Sequence, residues 1–294
     1  MIGPLLVLGG NGMLGHKLVQ VASKDLEVYG TVRDRHAGLA AVLGVAADHL
    51  LLHPDVTVGI DDLLDRVRPT VIVNCTGALK PASGSLEPCE AISVNALVPH
   101  RIAAAARVRG MRYIHLSTDC VFEGRRGQYA EDDAPDATDL YGRSKALGEV
   151  EDEVTLTIRT SMVGRQLRGS RGLLEWFLSR RGEIVQGYRA MRFSGLSTLT
   201  LSRTIVNVIE KHPTLAGRIH MGGDAISKYD LLHIMNDTFK AGITIVPVDG
   251  PQIDRSLNSH RFTAIAGPAP SWQQMLEETA GDPTPYEEWR QRVS

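Results

Sequence analysis

Short apolar runs rich in β-branched residues recur along the first half of the chain, and stretches with helical spacing of apolar positions separate them. The runs PLLVLG, EVYGTV, PTVIVNCTG, MRYIHLST and VTLTIRTS alternate with segments such as GMLGHKLVQVASK and NALVPHRIAAAARVRG. That alternation is the mark of βαβ units and a parallel sheet. It predicts an α/β fold, a Rossmann-like doubly wound parallel sheet, over about residues 1–165. Beyond it come GLLEWFLSRRG, FSGLSTLTLSRTIVNVIEK, GRIHMGG, ISKYDLLHIMNDTF, ITIVPVD and SWQQMLEE, where helices and short strands alternate less regularly. Residues 166–294 are therefore expected to form most of a smaller substrate lobe. The boundary is discontinuous, with segments near 193–223 returning to the sheet.

Composition narrows the function more than the fold. At 294 residues, 43% hydrophobic and 22% charged, the chain can bury a large core. A net charge of −2 with acids and bases interspersed lacks the basic footprint of a nucleic-acid binder. Three cysteines (Cys75, Cys89 and Cys120) without a CxxC argue against a disulfide framework or a thiolate zinc site and fit a cytoplasmic protein. The opening MIGPLLVLGGNGMLG has no basic segment before its apolar run, and no run approaches the roughly 20 residues that span a bilayer. No membrane partner and no metal are expected.

The segment GGNGMLG sets Gly9, Gly12 and Gly15 at GxxGxxG spacing, with Asn11, Met13 and Leu14 between them. The spacing alone is weak evidence, but its position directly after the first strand and at the head of a helix is specific. A turn without side chains lets backbone N–H groups approach a pyrophosphate, and the helix dipole favours that charge. A tight βα turn with no ligand is the plainer alternative. At the end of the second strand, where an NAD-selective fold usually has Asp or Glu, VYGTVRD offers Thr31 and Arg33. A guanidinium suits a 2′-phosphate, which predicts NADPH, with NADH as the alternative. NCTG puts Cys75, Thr76 and Gly77 at another strand end facing the cofactor crevice, with the Cys75 thiol read as an inert, small hydrophobe.

YIHLSTDCVFEG ends a strand on Ser117 and Thr118, and DLYGRSKALGE then places Tyr141 and Lys145 four residues apart, on one face of a helix. A strand-end hydroxyl, a tyrosine and a lysine form a coherent carbonyl-reducing site. Thr118 would orient the carbonyl oxygen, Tyr141 would donate the proton, and Lys145 would lower the tyrosine pKa toward neutrality.

With these residues in place, the chain resembles the extended short-chain dehydrogenase/reductases of the dTDP-4-dehydrorhamnose reductase branch. GGNGMLG is similar to their phosphate turn, STDCVFEG to their Ser/Thr-Asp-x-Val-Phe segment, YGRSKALGE to their Tyr-Gly-x-Ser/Thr-Lys block, and IRTSMVG to the strand after it. The resemblance implies reduction of a nucleotide-linked 4-keto-6-deoxy sugar in polysaccharide or glycoside biosynthesis. It implies catalytic roles for Thr118, Tyr141 and Lys145 and places the family's helix asparagine at Asn95, for which capping or packing is the alternative. Members that act as 4,6-dehydratases carry Asp-Glu after the catalytic threonine; Asp119-Cys120 here lacks that base. The C-terminal IDRSLNSHRF also departs from the Arg-Pro loop of many relatives. Among the cations Arg165, Arg168, Arg171, Arg189, Arg192, Arg255 and Arg261, Arg255 is the expected diphosphate ligand, joined on the substrate side by Lys80 and Asp119. A homodimer is left open. The rival functions are a nucleotide-sugar epimerase with retained NAD and a non-catalytic nucleotide-binding regulatory subunit.

Overall fold

The structure is a computed structural model that describes residues 2–79 and 85–293, so Lys80 lies outside the described residues. The first six strands are β1 (Leu5–Leu8), β2 (Val28–Val32), β3 (Leu50–Leu52), β4 (Val71–Asn74), β5 (Arg112–Leu116) and β6 (Thr155–Arg159). Short strands follow: β7 (Met162–Val163), β8 (Ile184–Tyr188), β9 (Met191–Phe193), β10 (Leu196–Ser197), β11 (Gly217–His220), β12 (Ile226–Ser227), β13 (Thr244–Val248) and β14 (Ile253–Asp254). The helices of the first half are α1 (Gly15–Ala22), α2 (Leu39–Leu43), α3 (Ile60–Val67), α4 (Pro88–Ala91), α5 (Val98–Val108) and α6 (Leu140–Leu147). Those of the second half are α7 (Leu173–Leu178), α8 (Thr198–Lys211), α9 (Lys228–Phe239), α10 (His260–Ala266), α11 (Trp272–Ala280) and α12 (Tyr286–Val293).

Seven strands make one parallel sheet in the order β3-β2-β1-β4-β5-β6-β11, the doubly wound arrangement expected from the alternation. Strand addition reverses between β1 and β4, and the loops leaving those two strands splay apart into a crevice. Each residue of β1 is buried, because alternate side chains enter different layers. Leu5 and Val7 join the cluster that includes Leu18 and Val19 of α1 and Leu201 and Ile205 of α8. Leu6 and Leu8 join Leu63 and Leu64 of α3 and Ile102 of α5. Helices on both faces explain why these strands read as continuous apolar runs.

The smaller lobe is built on the three-stranded β12-β9-β14 sheet and the β13-β8 and β10-β7 pairs. β11 leaves this region of the chain to pair with β6, and α8 packs along α1, so the two halves of the sequence are woven together. β3 and α12 are among the elements the sequence does not announce. β3 is a three-residue LLL run, too short to show a period. α12 has a polar sequence, yet it buries Tyr286 and Trp289 against the main core. Among the described residues no helix is long and apolar enough to cross a membrane.

Candidate active site

The crevice begins at the turn after β1. The Gly9 amide donates to Thr31 Oγ1 at 2.9 Å and the Gly10 amide to Thr31 O at 2.7 Å, which fastens the turn to the end of β2. A Cβ on Gly15 would overlap the Gly9 carbonyl, so only glycine lets α1 start this close beneath the turn. No side chain caps α1, and no acidic residue sits in its first turn. Uncapped amides at a helix start, in a turn with no room for side chains, fit a dinucleotide pyrophosphate. Asn11, Gly12 and Met13 are half-buried at the turn, whereas the Leu14 side chain is core. The buried Thr31 hydroxyl accepts from Gly9, so Thr31 helps to hold the turn. Arg33 is exposed, and the neighbouring Asp34 pairs with Arg168.

At the end of β4, Asn74 Oδ1 accepts from the Thr76 amide at 3.0 Å and its hydroxyl at 2.6 Å, and the Thr76 methyl lies against Gly9. Cys75 beside it is inert at neutral pH, because burial pushes its thiol up to about 12. Gly77 runs past Asn95, whose amide is fully engaged: Oδ1 accepts from Ala78 N at 2.8 Å, and Nδ2 donates to Ala78 O at 3.0 Å and Ser144 Oγ at 3.1 Å. Asn95 sits in a π-helical stretch, Ile92–Leu97, between α4 and α5. The geometry thus makes Asn95 a clamp between the β4 loop and α6.

Thr118 leaves β5 in an extended conformation and caps a 3-10 turn, Asp119–Val121, by accepting from Cys120 N at 3.1 Å. Its hydroxyl donates to Asp119 Oδ1 at 3.2 Å. Opposite, Asp139 caps α6 by accepting from Gly142 N at 3.0 Å. A Cβ on Gly142 would overlap the Cys120 carbonyl and the Ala137 side chain, so this glycine lets the first turn of α6 press against the Thr118 turn. Tyr141 and Thr118 are thereby brought together. Burial pushes the Tyr141 phenol well above the usual tyrosine range, with Cys120 adding to the rise, and the Thr118 side chain acts to lower it.

Lys145 is buried on the same helix, and its Nζ donates to Leu116 O at 2.6 Å. Burial lowers its pKa from 10.5 to about 8, against the pull of Glu149. The Lys145 ammonium is held by a backbone carbonyl, and desolvation is the largest influence on the phenol. Behind the site, Glu149 accepts from Ser117 Oγ at 2.7 Å and makes a two-pronged pair with Arg159, both contacts at 2.8 Å. Neither residue carries a functional signal in the sequence alone.

A cavity of about 210 Å³ opens between the Thr118 turn and the second lobe, lined in part by Asp119, Cys120, Ser161, Arg192, Lys228 and Arg255. Arg255 is braced by donating Nε to Phe122 O at 2.8 Å. Asp119 is buried, which raises its carboxyl pKa, and Arg255 opposes that rise. Lys228 is the residue that sequence reading missed. It opens α9 after the capping Ser227, half-buried, with its ammonium pKa lowered by burial. Nothing in ISKYD distinguishes such a lysine from a solvated one. A larger cavity of about 480 Å³, walled by Arg165, Arg168, Arg181 and Arg290, lies apart from Thr118, Tyr141 and Lys145.

A family model described as the RmlD substrate binding domain matches residues 3–279. The chain belongs to this family. Among curated relatives of this RmlD-type chain, the dTDP-4-keto-6-deoxy-D-glucose reductase of Streptomyces niveus is 34% identical over 145 residues. That stretch is 49% of this chain and 45% of the relative, so the match spans less than half of the relative's length. In structure, the RmlD-type chain superposes on a hypothetical dTDP-4-dehydrorhamnose reductase from Sulfolobus tokodaii with a TM-score of 0.75 and 25% identity, covering 92% of this chain and 98% of that one. The Bacillus anthracis dTDP-4-dehydrorhamnose reductase, solved in complex with NADP, gives a TM-score of 0.76 at 22% identity, covering 95% and 99%.

Proposed function

We propose that this chain is an NADPH-dependent reductase that converts a nucleotide-linked 4-keto-6-deoxy sugar to the alcohol, of the dTDP-4-dehydrorhamnose reductase type. The observation that carries the reading is the meeting of Thr118 and Tyr141, with Lys145 on the same helix, beside an uncapped glycine turn at the sheet's switch point. The activity named for the Streptomyces niveus relative supports it.

The backbone from Gly9 to Gly15 holds the pyrophosphate, Thr31 and Asn95 brace the loops around it, and Thr76 and Gly77 form the wall at the end of β4. When bound, the reduced nicotinamide supplies a hydride to the carbonyl carbon. Thr118 hydrogen-bonds the carbonyl oxygen, and the Tyr141 phenol gives that oxygen its proton. The tyrosinate left behind is steadied by the Lys145 ammonium and regains its proton from solvent. Burial keeps Tyr141 protonated in the resting site but also makes it a weaker acid, so donation depends on the Lys145 ammonium steadying the tyrosinate. Arg192, Lys228 and Arg255 form the cationic side of the cavity and take the diphosphate, while Asp119 faces the sugar. Cys120 stands where a dehydratase has its base, and burial pushes its thiol up to about 12, which favours reduction over elimination.

Following NADPH oxidation with dTDP-4-keto-6-deoxy sugars tests the reading. Tyr141→Phe is expected to lower kcat by about 10²–10⁴-fold, the usual weight of a general acid, with NADPH affinity and melting temperature retained. An unchanged rate in this variant overturns the catalytic assignment.

A further inference from the structure

Asp34 stands two residues past the end of β2, in the region where a carboxylate suits the ribose hydroxyls of NADH. Here that carboxylate is occupied. Arg168 Nη1 lies 2.7 Å from Asp34 Oδ2, His36 Nε2 lies 3.3 Å from the same oxygen, and Asn11 of the glycine turn donates to Oδ1 at 3.4 Å. Arg168 also reaches His36 Nε2 at 2.9 Å. It comes from the segment before α7, 134 residues along the chain from Asp34, and crosses to the rim of the first half.

The other arginines walling the larger cavity are committed elsewhere. Arg165 and Arg290 hold the buried carboxylate of Glu175, and Arg181 donates to the backbone oxygens of Phe239 and Lys240. The Arg168–Asp34 pair differs in being half-exposed, at 47% and 49%. Solvent screens such a pair to roughly 0–1 kcal/mol, so it contributes little to stability and yields readily to a stronger anion. Arg33, exposed on the same loop, is the second cation at this point.

We propose that Arg168 determines the cofactor preference from the second lobe: it keeps Asp34 from serving as a ribose-hydroxyl acceptor and presents a guanidinium, with Arg33, to the 2′-phosphate of NADPH. This rests on the nicotinamide-dinucleotide reading given above. A carboxylate held by a guanidinium neither attracts the 2′-hydroxyl nor repels a phosphate. Removing Arg168 frees it to do both, so NADP⁺ affinity falls while NAD⁺ affinity is kept or improved.

The experiment is calorimetric binding of NADP⁺, NAD⁺, 2′,5′-ADP and 5′-AMP, without any sugar substrate, to wild type, Arg168→Ala, Arg168→Lys and the double variant Asp34→Ala/Arg168→Ala. Arg168→Ala is expected to weaken NADP⁺ and 2′,5′-ADP about tenfold or more, the scale of one charge-assisted phosphate contact, and to leave NAD⁺ and 5′-AMP no weaker. Arg168→Lys should recover part of the loss, and so should the double variant, because the freed carboxylate is gone. Equal weakening of NADP⁺ and NAD⁺, or no change in either, overturns the proposal. Failure of the wild type to bind either dinucleotide overturns the nicotinamide reading instead.

Discussion

At the scale of single residues, the proposed chemistry turns on how burial acts on Tyr141 and Lys145. One helix carries both, four positions apart, but their polar ends have different surroundings: the phenol meets Thr118, and the ammonium meets Leu116 O. With its pKa lowered to about 8 by burial, Lys145 loses its proton in a range that assays can reach. If the protonated form is what steadies the tyrosinate, kcat/KM falls as pH rises through about 8, and Lys145→Arg shifts that limb upward; a limb unmoved by this substitution would assign it to another group. The stability effect has the opposite sense. Between about 8 and 10.5 the unfolded chain holds the proton that the folded chain has lost, so wild type gains stability relative to Lys145→Met as pH rises through that window. The spacing of this pair was legible in the sequence because helical periodicity is local. The environment of each tip was not, because it is supplied by β5 and the turn after it.

At the scale of elements, α6 is placed by two features at its ends. Gly142 lets its first turn approach the Thr118 turn, and beyond its last turn Glu149 is held by Arg159 of β6 and by Ser117. Arg159 and Glu149 are 0% and 4% exposed. Arg159→Met would leave the buried Glu149 with Ser117 and a longer Arg218 contact at 3.5 Å, so it is expected to destabilise the fold by up to about 3–5 kcal/mol in urea unfolding. Replacing both partners, as Glu149→Leu/Arg159→Met, should recover much of that loss; a double variant as unstable as the sum of the singles would count against the pair acting as a unit. The strands β1, β2, β4, β5 and β6 could be read in advance because their apolar runs are continuous. β3 could not, since three residues show no period, and neither could the π-helical turn around Asn95, which packing against α6 and the β4 loop produces.

At the scale of the whole molecule, the end of the chain supports its beginning. Lys17 of α1 is paired with Asp282, His16 Nε2 lies 3.0 Å from the Tyr286 hydroxyl, and Gln20 donates to Thr284 at 3.0 Å. Burial opposes the charge on Asp282, but Lys17 and the Thr284 hydrogen bonds together outweigh it and hold that carboxyl below its ordinary range. Its contribution is therefore present above the ordinary carboxylate pKa and is lost as pH falls through the lower folded value. Asp282→Asn is expected to cost about 1–3 kcal/mol, because Lys17 loses its ion pair but keeps Gln20 and Thr284, and to weaken dinucleotide binding because α1 carries the glycine turn. Its melting temperature should also show a smaller acid dependence than that of wild type. The amino-acid sequence by itself determined the doubly wound sheet, the glycine turn and the Thr118, Tyr141 and Lys145 positions, because each is written in neighbours a few residues apart. Only the tertiary structure decided that Thr31 and Asn95 brace the site, that Lys228 enters the cavity, and that Arg168 meets Asp34. Those roles depend on contacts between groups far apart in the chain, and only packing brings such groups together.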